Sequence, residues 1–487
     1  MAREAGILTP VSTLVSDHGI GDFGKYTYDF IDHIKETGFK TWQILPLNPA
    51  GYGNSPYQPY SSYAGDRVYI SLDTLVEWNL LKAEDIKPYE PSNLIDFEAV
   101  RAYKEIYLKR AFDCCMETGI YRDGFHYFKE NHPWVFDWAV FITFKKLNDG
   151  NCWNEWPEDQ KNWIGTYRYN VEMHRPLLEY EMFVQYIFYE QWFRLKKYAN
   201  DQGIKILGDI PIYVGIDSCD VWCHKDCFLL DPDGNPSFVA GVPPDYFSPT
   251  GQRWGNPIYN WDVLEKTNFQ FWINRLAWSQ SLFDIVRIDH FRGFDTYWKI
   301  PSSCPTAEMG EWLEAPGYAL FDEVYKQLPN IEIVAEDLGD LREEVLELRD
   351  HYHLSGMKIV QFELDPYGTN TDFHEKENTI VYTGTHDNET LVGWYGNLTS
   401  YQKRLLAKRF MKYKERKCTD RILHAVFDCL ADRVIIPIQD ILGLGNEARL
   451  NTPGTVGSPN WQWHLLDFDA FYRQLPRFKT WIEESKR

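Results

Sequence analysis

A chain of 487 residues, 44% hydrophobic and 25% charged, has the make-up of a globular protein with an ample core. Its formal charge of −21 opposes a nucleic-acid or anionic-membrane partner, because phosphate binding needs a basic surface. No run of about 18 apolar residues is present to span a bilayer.

Aromatic side chains make up 16% of the chain, more than a core alone usually takes; each ring serves either as core or as a platform for the C–H face of a sugar. Nine cysteines form no even, regular framework, which suggests reduced thiols in a cytosol. The opening MAREAGILTPVSTLVSDHG has a short apolar stretch broken by Pro10 and no small-residue cleavage signature. A cytoplasmic protein without a signal peptide is the expectation.

In chain order, a helix ends near Gly38 and a first strand spans Lys40 to Leu47. Gly51 to Asp66, dense in Gly, Pro, Ser and Tyr, reads as a long loop at that strand's C-terminal end. Val68 to Ser71 is taken as a further strand. Residues 81–203 read as a mostly helical insertion, with Tyr103, Ile106, Tyr107 and Ala111, and later Phe183, Ile187, Phe188 and Leu195, at helical spacing and a stop at Gly203. A buried strand follows at 204–214. Residues 215–260 form a second long loop insertion, whose Asp231 to Asn235 is a β-turn rather than a calcium loop, since the other ligand positions are missing. Strands at 284–289, 331–336, 357–363, 379–384 and 433–438 complete the pattern. Strands alternating with helices, without a Gly-rich dinucleotide fingerprint, predict a single α/β domain: a parallel (β/α)8 barrel over 1–487, with no separate C-terminal β-domain.

Three carboxylates close short apolar runs: Asp289 in DIVRIDHFRGF, Glu336 in IEIVAEDLG and Asp387 in TIVYTGTHDN. In a barrel they gather at the C-terminal rim, where active sites of this fold lie. Side chains alternate along a strand, so Arg287 and Asp289 share one face, and the guanidinium can keep the carboxylate ionised. A lone strand-end Asp more often sits in an ordinary salt bridge; three together point to the chemistry of glycosidic bonds, in which one carboxyl attacks and another moves the proton. Cys219, Cys223, His224 and Cys227 contain ligand types for zinc but no paired CxxC knuckle, so no metal and no cofactor are expected.

Long segments carry a resemblance across nearly the whole chain: SPYQPYSSYAGD, GDIPIYV, VAGVPPDYFSPTGQRWGNPIYNW, VRIDHFRGF, AEDLG, GTHDNET, LGLGNEARLNTPG and NWQW. The sequence resembles the amylomaltases, the 4-alpha-glucanotransferases of the alpha-amylase superfamily. The resemblance implies Asp289 as nucleophile, Glu336 as general acid/base and Asp387 as transition-state stabiliser. It also implies Asp209 and His386 against the donor sugar, Tyr57 and Trp254 as stacking platforms on the acceptor side, and Gln252, Asn256, Phe362 and Asn460 as further glucan contacts. The implied partners are a maltodextrin donor and a glucose or maltodextrin acceptor. A hydrolase using the same acids, with water as acceptor, is the nearest alternative, and a non-catalytic glucan-binding protein is a more distant one. Loops that exclude water favour transfer.

Overall fold

The computed structural model describes residues 3–244, 248–368 and 378–487. Asp245, Tyr246 and Phe247 of the AGVPPDYFS segment therefore lie outside the described residues. Eight parallel strands form the central sheet, in chain order Glu4–Leu8, Thr41–Gln43, Lys205–Ile210, Ile285–Ile288, Ile333–Ala335, Gly356–Ile359, Thr379–Tyr382 and Arg433–Pro437. Each pairs with the next except the fifth with the sixth, and the last pairs with the first. A parallel bridge from Val334 to Ser355 links the fifth strand to the start of the sixth and closes the circle.

Two expectations are corrected. Val68–Ser71 is not a strand: the Asp66 carboxylate accepts from Val68 N and the Ser71 hydroxyl from Thr74 N, so this stretch makes a 3-10 turn over Arg67–Tyr69 and then caps the helix Leu72–Glu77. The eighth strand is instead Glu4–Leu8, whose EAGIL lacks alternation because parallel barrel strands are covered on both faces. The strand expected over 357–363 ends at Ile359, and Val360–Glu363 coil into one helical turn.

Strand parity sorts side chains between the barrel interior and the helix layer. Leu8, Leu207, Ile285, Val334, Met357, Ile359, Ile380, Tyr382 and Ile435 pack together inside the barrel. Two residues further along their strands, on the same face as Leu207, Ile285 and Val334, stand Asp209, Arg287 and Glu336. The apolar plug thus carries a polar rim. Outward-facing residues such as Ile206, Val286 and Ile333 join the main core against the surrounding helices.

Between the second and third strands, helices Phe97–Thr118, Arg122–Asn131, Trp134–Leu147 and Arg175–Asp201 dominate. The last ends two residues before Gly203, which takes φ +78°. Phe183, Ile187, Phe188 and Leu195 are buried as the helical spacing predicts, whereas Ile106 is exposed. Two glutamines on that long helix hold the preceding loop: Gln185 exchanges hydrogen bonds with the backbone of Gly65 (2.7 and 3.0 Å) and Gln191 with that of Ser71 (2.7 and 3.1 Å).

The 215–260 segment is more ordered than its loop composition suggests. Phe238–Val242 and Gln252–Pro257 pair antiparallel and continue into Thr296–Pro301 and Glu311–Glu314, a four-stranded sheet beside the barrel rim. Gly241 permits the close pairing, since a Cβ there would stand 2.1 Å from the Gln252 carbonyl.

Candidate active site

Register places Asp209 directly beside Arg287 on the neighbouring strand. The buried guanidinium donates through Nη1 to both Asp209 oxygens, at 2.8 and 2.6 Å, and through Nη2 to Asp289 Oδ1 at 3.1 Å. One cation thus holds two carboxylates that would otherwise repel. Glu336 follows the fifth strand, and its oxygens accept from two backbone amides: His290 N at 2.7 Å and Leu338 N at 3.2 Å. His290 adopts φ +51°, a left-handed conformation uncommon for a side-chain-bearing residue, and this turn aims its amide at Glu336.

Asp387 lies in the loop after the seventh strand with nearly half its side chain exposed (46%). Its Oδ1 accepts from Asn451 Nδ2 at 2.6 Å, its backbone carbonyl from Arg449 at 2.6 Å, and its Oδ2 stands 3.5 Å from His386 Nε2. The Tyr57 hydroxyl donates to Asp209 Oδ2 at 2.7 Å and lies 3.3 Å from His386 Nδ1, while the two rings stack at 4.9 Å and 19°. Trp461 packs 5.9 Å from Tyr57 and 5.8 Å from His386. On the other side the Trp254 indole meets His290 edge to face at 4.8 Å and donates to Gln252 Oε1 at 3.2 Å.

The four remaining polar and aromatic candidates differ in situation. Gln252 and Trp254 share a partly exposed strand of the small sheet. Asn256 is only 3% exposed and spends its amide on Gln58 and the Val214 carbonyl. Asn460 braces its own loop, accepting from Thr452 N and donating to Thr455. Phe362 stands 60% exposed on the helical turn after the sixth strand.

The electrostatics follow from burial among like charges. Desolvation, with Asp209, Glu336 and Asp387 nearby, pushes the Asp289 carboxyl up to about 8, although Arg287 pulls the other way. Burial raises Glu336 as well, against Arg287 and its two amide donors. The direct guanidinium contact works against burial to favour the negative charge on Asp289, whereas Glu336 accepts from backbone amides. Burial lowers His386, so its imidazole is neutral. The arrangement therefore brings a guanidinium-held carboxyl, a second carboxyl raised by burial and a neutral imidazole into one place. Among the described residues no group of three or more His, Cys, Asp or Glu side chains is placed to hold a metal ion.

His290, Arg449, Asn451 and Trp461 belong to this site although the residue patterns did not single them out. Their segments were among those carrying the resemblance, but a left-handed backbone at His290 and a contact spanning 64 residues from Asn451 to Asp387 have no local signature.

The family model of glycoside hydrolase family 77, described as 4-alpha-glucanotransferase, matches residues 9–468. A 4-alpha-glucanotransferase of Thermus thermophilus is 40% identical over 500 residues, covering 100% of this chain and 99% of the relative. A chloroplastic/amyloplastic 4-alpha-glucanotransferase of Arabidopsis thaliana is 37% identical, covering 96% of this chain and 82% of that protein. Among solved structures, an amylomaltase from Streptococcus agalactiae in complex with acarbose superposes with a TM-score of 0.94 at 35% identity, covering 100% of this chain and 99% of the other.

Proposed function

The chain belongs to the 4-alpha-glucanotransferases of glycoside hydrolase family 77, and from that premise we propose how its own residues move an α-1,4-glucan segment from a donor maltodextrin to the 4-hydroxyl of glucose or another maltodextrin. Asp289 attacks the anomeric carbon of the donor sugar while Glu336 gives its proton to the departing 4-oxygen. The product of this step is a glycosyl-enzyme ester on Asp289. Glu336, now a carboxylate, takes the proton of an acceptor 4-hydroxyl, whose oxygen displaces Asp289. Two inversions restore the α configuration. Asp387 and neutral His386 take hydroxyls of the flattened sugar, with Asp209 on the donor side.

The observation that carries this reading is the Arg287 fork between Asp209 and Asp289, with Glu336 held separately by the His290 and Leu338 amides. It supports an asymmetric pair, one carboxyl paired with a cation and the other poised to carry the proton. Tyr57 and Trp254 supply ring faces for the sugars, as the resemblance implies, and Gln252, Asn256, Phe362 and Asn460 are assigned as outer contacts or as braces of the loops that make them. We read 81–203 and 215–260 as insertions in a single domain that wall this side and favour a sugar acceptor over water. The cytoplasmic assignment rests on the cysteine pattern, and cell fractionation tests it; no helix among the described residues is long and apolar enough to cross a membrane.

The test of transfer is incubation with maltotriose alone. Glucose together with dextrins longer than the substrate is expected; products no longer than maltotriose would reassign the chain to hydrolysis.

A further inference from the structure

Cys219–Cys223 form a single helical turn capped by Ser218, whose hydroxyl accepts from Val221 N. The two thiols lie one turn apart on the same face, with their sulfurs 3.6 Å apart. A disulfide needs sulfurs roughly 2 Å apart and Cβ atoms about 3.5–4.5 Å apart, whereas residues four apart on a helix hold their Cβ atoms about 5–6 Å apart. Direct oxidation would therefore distort the turn. A bridge through one intervening atom would not.

Both thiols line a cavity of about 460 Å³ that includes none of Asp209, Asp289, Glu336 and Asp387; its walls include Tyr63, Trp134, Trp278 and His224, with the Asp137 and Asp220 carboxyls beside them. Aromatic walls beside paired thiols suit an aryl group attached to a thiophilic atom. From this juxtaposition we propose that Cys219 and Cys223 form a dithiol site for a monosubstituted trivalent arsenical, with its organic group packed against the wall that Trp134 and Trp278 make together. In the binding step both S–H bonds are lost and two As–S bonds form. The arsenic-bound oxygen leaves with the two protons as water, and arsenic stays trivalent. Burial raises both thiols, so they remain protonated near neutral pH and resist simple alkylation. A bridging reagent gains over a monofunctional one because the second As–S bond forms within the same molecule.

The site is tied to the Gly51 to Asp66 loop that carries Tyr57: Cys219 N donates to the Tyr60 carbonyl at 2.8 Å, and Ser62 N donates to Asp220 Oδ2 at 2.8 Å. These two bonds clamp the stretch just beyond Tyr57.

The experiment treats the full-length protein with an equimolar amount of phenylarsine oxide and reads intact mass. One adduct per chain is expected, removed by 2,3-dimercaptopropanol but not by excess monothiol, and located by digestion on the peptide containing CDVWC. Cys219→Ala and Cys223→Ala should each lose the adduct, while Cys114→Ala, which breaks the adjacent pair Cys114 and Cys115, should keep it. No adduct on the wild-type chain, an adduct mapped elsewhere, or one that persists in either of the first two variants would overturn the proposal. Mapping on the wild-type protein is independent of whether a variant folds.

Discussion

Arg287 holds two of the carboxylates on which the proposed mechanism depends. Its side chain is almost fully enclosed, with one nitrogen on Asp209 and another on Asp289. Lysine would keep the charge but not the planar fork, so Arg287→Lys should hold one carboxylate and release the other. A fall in kcat of about 10–100-fold is expected in a saturating disproportionation assay, from misplacement of the nucleophile. Near-normal turnover would mean that the fork is dispensable. Glu336 is separable by its leaving group. Glu336→Gln should be slow on maltodextrins yet form the glycosyl-enzyme readily from an α-glucosyl fluoride, because fluoride leaves without a proton. The second step still lacks its base, so glucosyl mass should accumulate on the peptide bearing RIDHFRG. Label on another carboxylate, or equal slowing with both donors, would reject the division of roles. Strand parity in VRID foreshadowed the pairing of Arg287 with Asp289. The His290 amide was not foreshadowed, since a positive φ depends on what surrounds the turn.

At the scale of elements, the small antiparallel sheet places Trp254, and its weak point is Gly241. An Ala Cβ would collide with the Gln252 carbonyl and push the strand carrying Gln252 and Trp254 away from its neighbour. Gly241→Ala should cost about 1–3 kcal/mol of stability, as overpacking does. Acceptor KM should rise more than kcat falls, because the strand bears Trp254, proposed for the acceptor side, and not the carboxylates. Unchanged acceptor KM with lowered melting temperature would leave Trp254 without its assigned role. The sheet is hidden in the sequence because 233–258 is rich in Gly, Pro and Ser, and pairing of Phe238–Val242 with Thr296–Pro301, between residues 57 to 63 positions apart, supplies the strand character that composition lacks.

For the molecule as a whole, Asp137 on the helix Trp134–Leu147 provides a test of pH-dependent stability. Burial pushes its carboxyl from the ordinary 3.8 up to about 6. The folded chain therefore binds this proton more tightly than the unfolded chain. Between 3.8 and 6 stability falls as pH rises, and above 6 the full cost of the buried charge is present. Asp137→Asn should raise stability by roughly 1 kcal/mol well above pH 6, discounted for partial solvent access, and the gain should vanish below the ordinary carboxylate range. Thermal melts across this window check it. A gain independent of pH would assign the effect to something other than the proton.

Local pattern determined much of this protein. Runs buried on both faces are apolar throughout, helices repeat their core residues every three to four positions, and an acid at a strand end needs no distant partner to be conspicuous. Hence seven barrel strands, the long helices, the strand-end position of Asp289 and Glu336 and the pairing of Arg287 with Asp289 were legible, and the segments carrying the resemblance pointed to Tyr57, Asp209, Trp254 and His386 as neighbours of the acids. Tertiary structure decided the rest. The barrel closes through Glu4–Leu8 because that short strand finds partners on both sides, at Thr41–Gln43 and Arg433–Pro437, whereas Asp66 and Ser71 turn their own apolar neighbours into capped helical turns. Likewise Asn451 reaches Asp387, and His290 bends left-handed to reach Glu336, only once the barrel brings their segments together. A periodic pattern records which face of one element is buried; it does not record which distant element does the burying.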